Sequence, residues 1–139
     1  MPPRLARAAA RGVSAALHSA RTVERADLGG LLAPPADSSG TADAPTGELA
    51  ARIARFTLRQ LSRLPGSRWR ATCLYASAAE CEALRAFGVR AVVRLGVRNH
   101  EGTVQAHAWI ERDGAAWAGS ATALEAAAYQ ALRAGSRPR

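Results

Sequence analysis

Residues 89–97 and 103–111 both alternate along the chain with only a short polar turn between them, and no other feature limits the fold as strongly. In the first run Ala91, Val93, Leu95 and Val97 share one face, with Arg94 and Arg98 on the other. In the second, Val104, Ala106, Ala108 and Ile110 alternate with Gln105, His107, Trp109 and Glu111. The segment Arg98-Asn99-His100-Glu101-Gly102 supplies a Gly-containing turn, so the two runs predict an antiparallel hairpin. Arg112-Asp113-Gly114 reads as a three-residue loop with Gly114 left-handed, leading to a short third strand at 115–118. That loop sets residue 119 opposite residue 107.

Helical periodicity surrounds this sheet. Residues 3–20 predict an amphipathic helix that packs Leu5, Ala9, Val13 and Leu17 on its own domain. The same stretch carries Arg4, Arg7, Arg11 and Arg21 with no acid before Glu24, a pattern shared with mitochondrial presequences, but packing is the preferred reading. Residues 28–45, rich in Gly, Pro, Ser and Asp, read as a flexible linker. Asp43 or Thr46 then caps a helix with Pro45 in its first turn. Leu49, Ile53, Phe56, Leu61 and Leu64 form its apolar side, and Arg52, Arg55, Arg59 and Arg63 a cationic stripe. Such a stripe is a solvated face or a docking face for an acidic partner. Thr72 is the N-cap of a further helix over 73–87, apolar at Leu74, Ala78, Cys81 and Leu84 and stopped by Gly88. Thr122 and Glu125 make a capping box for a closing helix that runs through Leu132 and stops at Gly135. Helix followed by consecutive strands is an α+β plan. It divides into an N-terminal helix and linker over 1–44 and a folded domain over 45–139.

Composition narrows the setting. A chain of 139 residues is a single domain by length. No apolar run approaches the roughly 18–20 residues of a membrane span, so a soluble protein is expected. Net charge is +8 and all 19 basic residues are Arg, spread along the chain, and no nucleic-acid motif accompanies them. Cys73 and Cys81, on one helix, stand about 12 Å apart at its rise per residue. A disulfide tolerates roughly 7 Å, so both thiols are expected free and a reducing cytoplasm suits the chain.

The two thiols differ by position. Cys73 begins a helix, where unpaired N–H groups and the helix dipole favour a thiolate. Cys81 lies two turns on among apolar neighbours, where packing is its role. A reactive thiol is activated further by an adjacent imidazole. His18 belongs to the first helix and His100 to a turn, which leaves His107 as the partner, on the strand face of Gln105 and Trp109. Those two residues are candidates for lining a substrate cleft. The Cys and His positions show no close ligand pair of zinc-site spacing, so neither metal nor cofactor is expected.

Helix-start Cys followed by strand-centre His is the ordering of papain-like and transglutaminase-like enzymes. The run TCLYASAAECEALRAFGVRAVVRLGVR and then AHAWIERDG resembles the lasso-peptide leader peptidases, a bacterial branch of the transglutaminase-like superfamily. The likeness covers residues 53–114 and is specific at Cys73-Leu74, Gly96-Val97 and Ala106-His107-Ala108-Trp109. It implies a small core in which a Cys-bearing helix packs on an antiparallel sheet carrying the His. It also implies a cytoplasmic cysteine peptidase with Cys73 and His107 catalytic. Such an enzyme removes the leader from a ribosomally made precursor, with a leader-binding recognition protein and a lasso cyclase as partners. One departure stands out: the family places an acid, usually Asp, twelve residues after the His, and here that residue is Gly119. Ser120, next to it, is the candidate third member. The alternative is a catalytically impaired homologue that binds precursor or partner without cleaving.

Overall fold

The computed structural model describes residues 1–25, 28–35, 40–120 and 126–131. Three long helices, α1 (Pro3–Glu24), α3 (Ala44–Ser62) and α4 (Cys73–Arg85), pack on one another, and a helical turn α2 (Gly29–Leu32) lies between the first two. The strands are β1 (Ala91–His100), β2 (Thr103–Arg112), β3 (Ala115–Ala116) and β4 (Gln130–Ala131), in the antiparallel order β3-β2-β1-β4. Helix α4 packs on β1 and β2. The architecture is α+β, with the Cys73 helix packed on the His107 sheet.

The helices meet through their small residues. Helix α1 buries Ala8, Gly12, Ala15, Ala16, Ser19 and Ala20, while Leu5, Val13 and Leu17 face solvent. This reverses the expected packing face. Helix α3 buries Thr46, Gly47, Ala50, Ala51, Ala54 and Leu58; of its expected apolar side Leu49, Ile53 and Leu61 pack partly buried against the core, while Phe56, and Leu64 in the turn beyond the helix, are 63% and 53% exposed. The cause is close approach: a Cβ at Gly12 would stand 2.5 Å from the Ala50 carbonyl oxygen and 2.9 Å from Ile53 Cβ. Only small side chains fit where two backbones come so near, and the large apolar residues of α1 are turned outward. Ala8 and Ala15 of α1 share one core cluster with Ala78, Cys81 and Leu84 of α4 and Val93, Ala108 and Ile110 of the sheet.

Several boundaries follow local chemistry. Asp43 is the N-cap of α3, its Oδ1 accepting from the Thr46 amide at 3.2 Å, and Pro45 lies in the first turn. Hydrogen bonds from the Thr46 hydroxyl and amide hold the Asp43 carboxyl below the usual carboxylate range. The segment expected as a linker contains α2, which is tied down by Arg85. Its guanidinium donates to the carbonyls of Gly30, Leu31 and Ala33, and its Nε to the Ala91 carbonyl at 2.8 Å. Thr72 stands at the N-cap of α4 in extended conformation without a side-chain capping bond. Gly88, at φ 77°, ends the turn after α4, the left-handed stop its position predicts.

Both hairpins are tighter than their sequences suggest. Glu101-Gly102, at φ 51° and 79°, turns β1 into β2, so Arg98, Asn99 and His100 belong to the strand. Positive φ at both central positions marks the two-residue hairpin turn whose twist matches its strands. Asp113-Gly114, at φ 52° and 80°, does the same between β2 and β3 and pairs Arg112 with Ala115. The loop is one residue shorter than expected, and the register shifts with it. The ladder persists to a Trp117 amide bond with the Ile110 carbonyl at 2.8 Å, then leaves through a turn closed by Ser120 N–H on the Trp117 carbonyl at 3.1 Å. Gly119 therefore does not stand opposite His107 on a paired strand. The expected closing helix is also corrected at its far end, where Gln130 and Ala131 pair with Val97 and Gly96 as β4. Thr122, Glu125, Leu132 and Gly135 lie outside the described residues.

Candidate active site

Cys73 is the first residue of α4 and is half-buried. The loop before it is fixed by side chains rather than by regular structure. Ser67 Oγ donates to the Leu61 carbonyl at 2.7 Å and accepts from the Trp69 amide at 3.1 Å. Trp69 Nε1 reaches the Leu17 carbonyl of α1 at 3.2 Å. Beneath the first turn of α4, Tyr75 is buried with Ala16, Ala20 and Leu58. Three helices thus set where Sγ stands.

His107 is 7% exposed in the middle of β2, paired across the ladder with Gly96. Its ring stacks on Tyr129 with centroids 4.9 Å apart and planes 28° apart, and on Trp109 at 6.1 Å and 22°. Arg98 covers Tyr129 at 4.7 Å from its ring centroid, and Arg98 Nε donates to Gln105 Oε1 at 2.8 Å. The imidazole plane is therefore fixed by aromatic neighbours. Stacking sets the plane, but it does not select which ring nitrogen carries the proton.

Cys73 and His107 line one cleft of about 420 Å³, together with Thr72, Tyr129, Arg55 and Arg59. This volume lies in the range of ligand sites. Neither Gln105 nor Trp109 lines it: Gln105 holds Arg98, and Trp109 is packed against the imidazole. His18, bonded to the Ser14 carbonyl on α1, and His100, exposed at the end of β1, stand elsewhere. Cys81 is fully buried with Sγ on the Ala91 carbonyl, and burial pushes its thiol up to about 11. It stays protonated and inert near neutral pH.

Ser120 is buried, and its Oγ donates to Glu80 Oε2 at 2.8 Å. Glu80, two turns along α4 from Cys73, is 1% exposed and has Arg55 Nη1 at 3.5 Å. Burial pushes the Glu80 carboxyl up to about 7, against the lowering pull of Ser120 and Arg55. A buried carboxylate is costly unless paired, and two partners from two other segments provide that pairing. A Cβ at Gly119 would meet the half-exposed Trp117 indole at 2.4 Å, so a side chain there requires that ring to move. Sequence reasoning passed over Glu80 and Tyr129. A signal existed for Glu80: α4 is apolar around most of its circumference, so a charge within it is forced inside.

The family model described as Transglutaminase-like superfamily matches residues 3–134. The chain belongs to the transglutaminase-like superfamily. Cysteine peptidases are frequent in this superfamily. The match takes in α1 as well as the Cys73 helix and the His107 sheet. Comparison with curated proteins and with solved structures gave no match.

Proposed function

We propose that this transglutaminase-like protein is a cysteine peptidase that removes the leader from a ribosomally made lasso-peptide precursor in the bacterial cytoplasm. The observation that carries the reading is that Cys73 and His107, on different elements, line the same cleft. Cys73 Sγ attacks the scissile carbonyl carbon and its proton passes to His107. The imidazolium then delivers that proton to the leaving amine as the C–N bond breaks, leaving a thioester on Cys73. His107 next draws a proton from water, which attacks the thioester, and the thiolate leaves and regains a proton. The freed amine is the group a lasso cyclase joins to a side-chain carboxylate, and a separate leader-binding protein presents the substrate. Incubating the protein with precursor and leader-binding partner should release free leader, detected by mass spectrometry, and Cys73→Ala should abolish release.

A second reading, precursor binding without cleavage, draws on Gly119 and on the Trp117 indole packed against it. No carboxylate orients the imidazole from that position, and loss of the orienting Asp in a serine triad lowers turnover about 10⁴-fold. Under this reading the wild type co-purifies with precursor and leaves it intact.

A further inference from the structure

Part of the cleft lining is cationic. Helix α3 directs Arg55 and Arg59, one turn apart, into the space lined by Cys73 and His107. Among the described residues lining it there is no carboxylate. The two cations are placed differently. Arg55 is backed by buried Glu80 at 3.5 Å, which anchors its guanidinium at the cleft wall. Arg59 is exposed and has no ion pair among the described residues. Arg52 and Arg63, both exposed, extend positive charge along the same helix.

We propose that the cleft selects peptides with an acidic side chain close to the scissile bond, bound by Arg59 with Arg55 beside it. The inference rests on the peptidase reading for its substrate class and adds a specificity that reading does not contain. An Arg fork pairs bidentately with a carboxylate, which adds geometric specificity as well as energy. Glu80 does not compete for Arg59, since its carboxylate is buried and already engaged by Ser120 and Arg55. At an extended rise of about 3.3 Å per residue, a cleft of this size holds two or three residues. The acidic residue therefore falls within that distance of the bond to be cut. Phosphates of nucleic acid share the charge but not the short reach beside a nucleophilic thiol.

The test uses short peptidyl vinyl sulfones that alkylate Cys73, identical except for Asp, Asn or Lys at the variable position. The Asp probe should label wild type about tenfold faster than its Asn isostere, the size of one charge-assisted contact. Lys should be slowest. Arg59→Glu, at an exposed helix position, should fold with an unchanged melting temperature and invert the order, with Lys ahead of Asp. Equal rates for Asp and Asn on wild type, or an order unaltered by Arg59→Glu, would overturn the inference while leaving the peptidase reading intact. If no probe labels Cys73, the peptidase reading falls. Fluorescence anisotropy of the Asp and Asn peptides on Cys73→Ala then decides the inference alone: tighter Asp binding, lost in Arg59→Glu, supports it, and equal binding overturns it. Tighter binding of a single-stranded oligonucleotide at the same arginines would also overturn it, by assigning the surface to nucleic acid.

Discussion

At the scale of single residues, position relative to water decides what each titratable group does. Cys73 and Cys81 lie on one helix, yet Cys81 is sealed among Ala91, Val93 and Leu84 while Cys73 opens onto the cleft. Glu80 is the costly residue. Its carboxyl, moved from 4.5 to about 7 by burial, represents roughly 3 kcal/mol of unfavourable ionisation. Because the folded-state value is the higher one, the folded protein holds a proton that the unfolded chain has lost. Stability from this group is thus present below about pH 4.5 and falls as pH rises to about 7. Glu80→Gln should remove that slope, so that its stability relative to wild type is higher at pH 8 than at pH 5. Urea unfolding of both proteins at pH 5 and pH 8 measures it, and parallel slopes would contradict the burial cost. Gly119→Asp should behave in the opposite sense. Its side chain must displace the half-exposed Trp117 indole, read as a slightly lower melting temperature.

The elements show why the packing face of α1 is hard to read from sequence while the two long strands are not. Strand alternation at Ala91, Val93 and Leu95 and at Ala106, Ala108 and Ile110 is a period-two signal that small and large residues both carry, so β1 and β2 were legible with His107 in place. Large apolar residues mark the packed side of α3 at Leu49, Ile53 and Leu61, but α1 turns its own outward and buries Ala15 and Ala16 with Gly12, which lies against Ala50 and Ile53 of α3. In an Ala-rich chain the small residues allow the two backbones to approach closely. Tyr129 was hidden by the Thr122–Glu125 capping pattern, since nothing local announces a two-residue strand such as β4. The close approach yields a prediction in which two effects compete. Gly12→Ala gains about 1 kcal/mol of helix propensity, but its Cβ stands 2.5 Å from a backbone oxygen that cannot rotate away. The clash should win, and Gly12→Val should lower stability by about 2 kcal/mol, or several degrees in thermal melting. A melting temperature equal to wild type would mean that α1 and α3 are further apart than described.

For the whole molecule, the three-helix layer and the sheet serve one arrangement: the start of α4 and the middle of β2 open onto a common cleft walled by α3. The order Cys73, then His107, was readable from sequence because a helix-start Cys and a strand-centre His each have a local signature. Their shared cleft and its cationic wall were not, because they depend on how α3 crosses the other two elements. The same placement makes the account testable without substrate. Iodoacetamide alkylation followed by peptide mass spectrometry, on wild type and His107→Ala, reads the activation of Cys73 directly. Modification is expected at Cys73 and not Cys81, slowed roughly tenfold or more when the imidazole is removed. An unchanged Cys73 rate in His107→Ala, or modification favouring Cys81, would contradict it.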